Sequence, residues 1–276
     1  MNEKKTIIIH FNPDGIINPI LKLLGEKLRL IAIAIDAVSA YTTDDIPDLT
    51  KYGAFWSIKI PIKDLNVLKQ DLEMWLLESA LSSSMTAVCL SLDEATKYYL
   101  VYEMLRDRQP LKSDSYNEAM RKIQEAVRKQ HKKPLEKRVI WFEKKLSEEL
   151  AYSEHLLTIN GLRNCIVHRN GYVADLDIND QTNNRMVLKW IKPKIYVRRN
   201  GEEIEFLDQP IILYNGEKVE FKAEEIGKYL QIWDRVKLSV MEINQIGFTC
   251  WLFVTDIANK LQSLSQSLAD NAYPVG

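Results

Sequence analysis

The sequence predicts a mostly α (α+β) fold, in which an antiparallel helical bundle carries a small antiparallel β-hairpin insertion before its C-terminal helix. Three observations lead to this prediction. Apolar residues recur at helical spacing over most of the chain, an alternating β-branched pattern occupies about residues 172–222, and helical spacing then returns. Because the helix-rich and strand-rich parts are segregated, a doubly wound parallel sheet is disfavoured.

Residues 1–60 are predicted to be an N-terminal extension made of a strand and a helix. A short strand is expected at 6–11, and the Asn-Pro-Asp-Gly sequence at 12–15 is a strong turn signal. Apolar residues between 16 and 40 follow helical spacing, which predicts a helix. The segment 42–61 contains prolines and a glycine and is expected to be a loop.

Residues 61–276 are predicted to form the helical domain that holds the β insertion. The first helix of this domain is expected over 61–102, with the serines at 82–84 either bending or dividing it. Shorter amphipathic helices are expected at 115–129 and at 134–150, where Pro134 suits the first turn of a helix.

The next predicted helix runs from about 153 to 169 and ends because Asn170-Gly171 is a common helix stop. Within the insertion, Asn200-Gly201 and Asn215-Gly216 lie between alternating runs and predict hairpin turns in a sheet of three or four strands. Residues 223–264 then return to helical spacing and are predicted to form the C-terminal helix.

Composition excludes several classes of protein. The chain has 276 residues, with 37 basic and 38 acidic side chains and a formal net charge of −1, which excludes a disordered chain, a collagen-like repeat and a general nucleic-acid coat. Its three cysteines are isolated, and no apolar stretch is long enough for a signal peptide or a membrane span. A reduced, cytoplasmic protein that does not contact a membrane is the simplest expectation.

The familiar motifs of several enzyme classes are missing from the sequence. There is no phosphate-binding loop, no dinucleotide-binding glycine motif, no nucleophile elbow, and no paired histidine or cysteine pattern for a metal. Kinase, oxidoreductase and serine hydrolase functions therefore lose support, and neither a metal nor another cofactor is expected.

The sequence INGLRNCIVHRNGYV at residues 159–173 is the segment that carries chemistry. Asn164 and His168 are four residues apart and therefore share a helix face. Arg163 lies about 140° around the helix from His168, and its long side chain can curl toward the same end. Three polar groups are thus expected to converge near the C-terminus of this helix.

This arrangement resembles the HEPN family (higher eukaryotes and prokaryotes nucleotide-binding domains). Its members are all-helical bundles, and many carry an Arg, often followed by Asn, and then a His after four to six residues. The resemblance implies a metal-independent endoribonuclease of toxin or antiviral-defence type, formed at the cleft of a homodimer, with an antitoxin or another protein partner left open. The β insertion and the N-terminal extension depart from the minimal bundle of the family.

Ribonuclease chemistry gives each motif residue a role. The imidazole of His168 would transfer protons near neutral pH, and the guanidinium of Arg163 would hold phosphate oxygens. Asn164 would orient His168 or contact the phosphate. In a homodimer a second His168 would lie opposite, so that one imidazole acts as base and the other as acid.

A basic segment is the candidate for binding RNA. Between residues 106 and 145 the chain carries 13 lysines and arginines against 6 acidic residues. Its centre would track a nucleic-acid backbone by neutralising phosphates, and Arg169 would add to this contact. The candidate RNA-binding residues are Arg128, Lys129, Lys132, Lys133 and Arg169.

Alternatives stay open at this point. Basic residues near a helix C-terminus are favoured by the helix dipole without any catalytic role, and the basic segment is equally typical of a solvated helix face. The chain would then be a non-catalytic nucleotide- or RNA-binding module, or a protein-interaction module. Of the six tryptophans, Trp190 and Trp233 are the two whose exposure would suggest base stacking.

Overall fold

A computed structural model describes residues 12–40, 65–106, 113–205, 213–214 and 217–272. In these ranges the chain is mostly helical, with one small three-stranded antiparallel sheet and a C-terminal helix, which confirms the predicted class at this level. The strand expected at 6–11, the loop expected at 42–61 and the domain boundary expected near residue 60 lie outside the described residues.

The helices follow the predicted order. α1 (Asp14–Lys22), a π-helical segment (Leu23–Leu28) and α2 (Arg29–Ala40) succeed one another without a break. Further along the chain, the sheet is preceded by α3 (Leu65–Arg106), α4 (Ser113–His131), α5 (Leu135–Leu146) and α6 (Ser153–Arg169), and it is followed by α7 (Val240–Ala272).

Two helix ends differ from the expectation for local reasons. The predicted turn at 12–15 leads directly into α1, which begins at Asp14 rather than at Ile16, and the Asn12 side chain accepts the Asp14 N–H at 2.9 Å in an Asx turn. α5 ends at Leu146 rather than near residue 150, because Ser147 adopts a left-handed conformation with φ of 55°.

α3 is one unbroken helix of 42 residues, so the serines at 82–84 do not divide it. Serine lowers helix propensity only slightly, and the flanking Leu81 and Met85 are buried. The expectation that no apolar stretch is long enough for a membrane span was wrong by length and composition alone: among the described residues, α3 is long and apolar enough, with a mean hydropathy of 1.2 over its most apolar window. Of that window 56% is buried within the structure, which is typical of a core helix.

The sheet consists of β1 (Arg185–Arg199), β2 (Glu202–Glu205) and β3 (Val219–Gln231), in the order β2-β1-β3. Asn200 and Gly201, with φ of 52° and 86°, form the predicted hairpin turn between β1 and β2. The turn expected at 215–216 lies outside the described residues.

The predicted C-terminal helix was wrong at its start. Residues 223–231 belong to β3, which pairs with β1 in antiparallel register from Val219 to Gln231, and the helix begins only at Val240. Ile226 and Leu230 are four residues apart, a spacing that fits both a helix and a strand, and pairing with β1 decides between them. The β insertion therefore extends to residue 231 instead of 222.

The chain forms two compact units, each made from separate stretches of sequence. The described residues of the first, the helical unit, fall within Met1–Lys22, Ser84–Leu157 and Thr249–Gly276. Those of the second, the sheet unit, fall within Leu23–Ser83 and Thr158–Phe248.

The helical unit contains a buried cation. Arg138 of α5 is 2% exposed and donates to the Asp93 carboxylate at 2.6 Å and to the Cys89 carbonyl at 3.0 Å. His131 Nδ1 lies 2.7 Å from the other Asp93 oxygen. Buried apolar side chains in this unit include Ile16, Ile20, Leu92, Ile123, Phe142 and Phe253.

In the sheet unit, β1 is fixed to both α6 and α7. The Thr158 hydroxyl exchanges hydrogen bonds with the backbone of Lys189, and the indole N–H of Trp190 donates to Gln245 at 2.8 Å. Trp190 is buried, so it is a core residue and not a base-stacking surface.

We predict that Asp93→Ala lowers the free energy of unfolding by about 3–5 kcal/mol, because it leaves the buried Arg138 guanidinium without its carboxylate. Glu125→Ala is the matched control, since Glu125 pairs with Arg121 on an exposed helix face and should contribute less than about 1 kcal/mol. Urea denaturation of both variants measures the difference. If both variants lost the same free energy of unfolding, the buried pair of Asp93 and Arg138 would not be a major source of stability.

Candidate functional site

The buried side of α6 fixes which residues of the motif reach the surface. Ile159, Leu162, Cys165 and Ile166 are buried and form one stripe along the helix. At 100° per residue, the opposite arc of the helix, about 140° wide, carries the polar side chains. These are Asn160, Arg163, Asn164 and His168, with Val167 among them.

Two of the three predicted catalytic residues are in direct contact. Arg163 Nη1 donates to Asn164 Oδ1 at 3.1 Å, and both side chains are half-buried. His168 is exposed and lies one helical turn beyond Asn164 on the same side of α6. Asn160, which the sequence did not single out, is centred on this polar arc one turn before Asn164.

Two left-handed residues end α6 directly after the motif. Asn170 and Gly171 have φ of 51° and 77°, and the Gly171 N–H donates back to the Cys165 carbonyl at 3.3 Å. A Cβ on Gly171 would lie 3.2 Å from the Met74 side chain. The left-handed conformation therefore favours glycine here, and a larger residue would also have to displace the end of the Met74 side chain slightly.

Arg169 is held within the chain. Its Nε donates to Asp177 Oδ2 at 2.8 Å, and its Nη2 donates to Asp177 Oδ1. The Asp177 side chain is buried and also accepts the Ala174 N–H at 3.0 Å. The guanidinium of Arg169 thus anchors the loop after α6, and Asp177, eight residues further along, gave no signal in the sequence.

The segment after the motif pairs with the segment after β3. Val236 N–H donates to the Gly171 carbonyl at 2.8 Å, and Val173 N–H donates to the Asp234 carbonyl at 3.0 Å. Tyr172 lies opposite Arg235, whose guanidinium sits 5.7 Å from the centre of the Tyr172 ring. These backbone bonds fix the direction in which the chain leaves α6.

A cavity of about 270 Å³ lies next to this pairing in the sheet unit. Met74 and Val236 line it, and these are the two residues that face Gly171. Its polar wall includes Gln70, Glu73 and Arg235. The cavity therefore lies beside the end of α6.

The predicted basic cluster is exposed at the end of α4 and in the turn before α5. Arg128, Lys129, Lys132 and Lys133 all face solvent, and none of them forms an ion pair with a described residue. Earlier in α4, in contrast, cations are neutralised by glutamates one turn away. The cluster belongs to the helical unit, whereas the motif residues belong to the sheet unit.

The thiols and acids do not assemble a metal centre in the ranges that the structure describes, where no three His, Cys, Asp or Glu side chains come together. Cys89, Cys165 and Cys250 are all free thiols. Burial raises the pKa of the Cys165 thiol to about 11 and that of Cys250 to about 12. Both thiols therefore stay protonated near neutral pH and are poor nucleophiles.

No protein-family model, curated protein or solved structure matches the chain significantly.

We predict that Gly171→Ala destabilises the protein by about 1–2 kcal/mol, because alanine at a left-handed position is strained. Asn170→Gly is the control, since glycine suits the same conformation and should be neutral or slightly stabilising. Thermal unfolding of the two variants measures the effect. A Gly171→Ala variant as stable as the wild type would show that the turn does not constrain the end of α6.

We also predict that Cys165 and Cys250 of the native protein resist a thiol reagent at pH 8, because burial keeps them protonated until well above that pH. A Cys89→Ser variant should then show no fast-reacting thiol when native, and two thiols once unfolded. Rapid native labelling of Cys165 would contradict the burial of this side of α6.

Proposed function

We propose that this chain is a metal-independent endoribonuclease of HEPN type, belonging to the toxin or antiviral-defence class. The observation that carries the proposal is the polar arc of α6, where the exposed imidazole of His168 lies one turn beyond the hydrogen-bonded Arg163–Asn164 pair. The mostly helical architecture is compatible with a bundle of that type, to which the β1–β3 sheet would be an addition.

The proposed reaction is an internal transfer at phosphorus. A neutral His168 takes the proton of a ribose 2′-hydroxyl, the 2′-oxygen attacks the adjacent phosphorus, and the bond from phosphorus to the 5′-oxygen breaks. The products are a 2′,3′-cyclic phosphate and a 5′-hydroxyl, whose oxygen must receive a proton. No oxidant, reductant or second substrate is consumed.

Arg163 is suited to the charge that develops in this reaction. The guanidinium has five N–H donors, and Asn164 uses one of them, which fixes the plane of the group and leaves donors for two phosphate oxygens. Partial burial reduces competition from water, so the attraction to a phosphorane is stronger than on an open surface.

A second copy of the chain would complete the proton transfers. Among the described residues His168 is the histidine on the polar arc of α6, so one site supplies one imidazole. In the proposed homodimer the partner copy supplies the other, which protonates the leaving 5′-oxygen. RNA in the cytoplasm is the proposed substrate.

The exposed cluster on the α4–α5 turn is the proposed contact for the RNA backbone. Arg128, Lys129, Lys132 and Lys133 lack acidic partners in the described part of the chain, so each can neutralise a phosphate. Arg169 is left out of this contact, because the buried Asp177 already binds its guanidinium.

We predict that the purified protein cleaves single-stranded RNA in EDTA and that His168→Ala lowers the rate about 100-fold or more, because the proton acceptor is lost. Arg163→Lys should lower the rate by a smaller factor, since lysine keeps the charge and loses the bidentate geometry. Arg198→Ala, which removes an exposed arginine of β1, is the matched control and should cleave normally.

Product analysis completes the test. Cyclic phosphate ends that appear in EDTA and vanish in the His168→Ala variant support the proposal. Cleavage that persists unchanged in both the His168 and Arg163 variants would overturn it.

A non-catalytic RNA-binding module is the second candidate, and the exposed cations of the α4–α5 turn favour it, since they can bind phosphates without any cleavage. This candidate is supported if the wild-type protein binds RNA without cleaving it, with or without added Mg²⁺.

A further inference from the structure

Trp233 combines two features that folding alone disfavours. Its side chain is 80% exposed, and its backbone has φ of 74°, a left-handed conformation that is strained for a bulky residue such as tryptophan. Exposed apolar area and backbone strain both cost free energy, and residues that retain such strain cluster at functional sites.

The backbone around Trp233 is firmly bonded, so its exposure does not reflect a free end. Trp233 N–H donates to the Val173 carbonyl at 2.9 Å, and Asp234 N–H donates to the Gln231 carbonyl at 3.0 Å. Asp234 Oδ2 in turn accepts the Gln231 N–H at 2.7 Å. Val173 lies five residues after His168, so this turn is tied directly to the end of the motif.

Two residues near Trp233 in the paired segments are Tyr172, an aromatic residue, and Arg235, a cation. Tyr172 is 45% exposed, and Arg235 lies against its ring. The Arg235 side chain is 27% exposed, and its Nη2 lies 3.9 Å from a carboxylate oxygen of Asp71, whose own side chain is 68% exposed. A long ion pair at the surface is weak, so a phosphate can compete with Asp71 for the accessible part of the guanidinium.

We propose that Trp233 stacks an unpaired base of single-stranded RNA, while Arg235 binds a neighbouring phosphate. This inference rests on the proposed ribonuclease function, because it assigns the substrate contact beside the His168 end of α6. An exposed indole binds any base through its face, and a base inside a duplex is not free to stack on it. The site is therefore specific for single strands, with little preference for sequence.

The test uses the His168→Ala protein, so that binding is measured without cleavage. A short fluorescein-labelled oligoadenylate is titrated by anisotropy, and the same strand annealed to its complement serves as the duplex probe. Trp233→Gly removes the ring while suiting the left-handed backbone, so it should leave thermal stability unchanged or raised. Trp75→Ala removes another exposed tryptophan, 61% accessible on α3, and is the matched control.

We expect Trp233→Gly to weaken single-strand binding by roughly 5- to 150-fold, the range that loss of one stacked base produces. Trp233→Phe should restore most of the affinity, and Trp75→Ala should leave it within about twofold. Arg235→Ala should weaken binding and lower the slope of log affinity against log salt by about 0.7.

The inference is overturned if Trp233→Gly binds the single strand as tightly as its parent, if Trp75→Ala loses as much affinity, or if neither probe binds. Failure of the nuclease proposal gives a different result. In that case His168→Ala cleaves as fast as the wild type, while the Trp233→Gly variant still loses affinity for the single strand.

Discussion

The left-handed turn at Asn170-Gly171 is the constraint on which the site depends. It ends α6 one residue after Arg169, and the absence of a side chain at Gly171 lets the chain pass against Met74. The Arg169–Asp177 ion pair then holds the following loop, and Val236 pairs with the Gly171 carbonyl. This tight turn therefore brings the segment that contains Tyr172, and the segment with Trp233 that pairs with it, next to the end of α6.

The net charge of the chain is close to zero, but its charged side chains are unevenly paired from one region to another. On the sheet, cations of the central strand are neutralised by acids of its neighbours or of the nearby loop. The Arg199 guanidinium, for example, donates to Glu217 and lowers the pKa of that carboxyl to about 2. At the α4–α5 turn, in contrast, the four exposed cations of the basic cluster form no ion pair with a described residue, so the chain is locally positive there although its total charge is balanced. The ion pairs between cations of β1 and acids of β2 include Lys192–Glu205, Lys194–Glu203 and Arg198–Glu203.

Local signals in the sequence were sufficient for α6, its glycine stop and the Asn200-Gly201 hairpin, because caps and turns depend on adjacent residues. The prediction of a helix at 223–231 was wrong, because the spacing of Ile226 and Leu230 fits both a helix and a strand. Only the pairing of β3 with β1 decides that the segment is a strand. The structural use of Arg169 depends on how the loop after α6 folds back to bring in Asp177, and the conformation of Trp233 depends on pairing with Val173, which is distant in sequence. For the candidate site, the four-residue spacing of Asn164 and His168 predicted that they share a face of α6. It gave no indication of the neighbouring surface around Trp233.

The interleaving of the two units has a consequence for biosynthesis. Helix α7 contributes its first turns to the sheet unit and the rest to the helical unit. Because α7 supplies buried side chains to both units, each core is completed only after α7 has left the ribosome, and until then the apolar stripes of α3 and α6 are incompletely buried. Chaperone capture during synthesis is therefore expected to be strong, and a chain interrupted before α7 should yield no folded fragment.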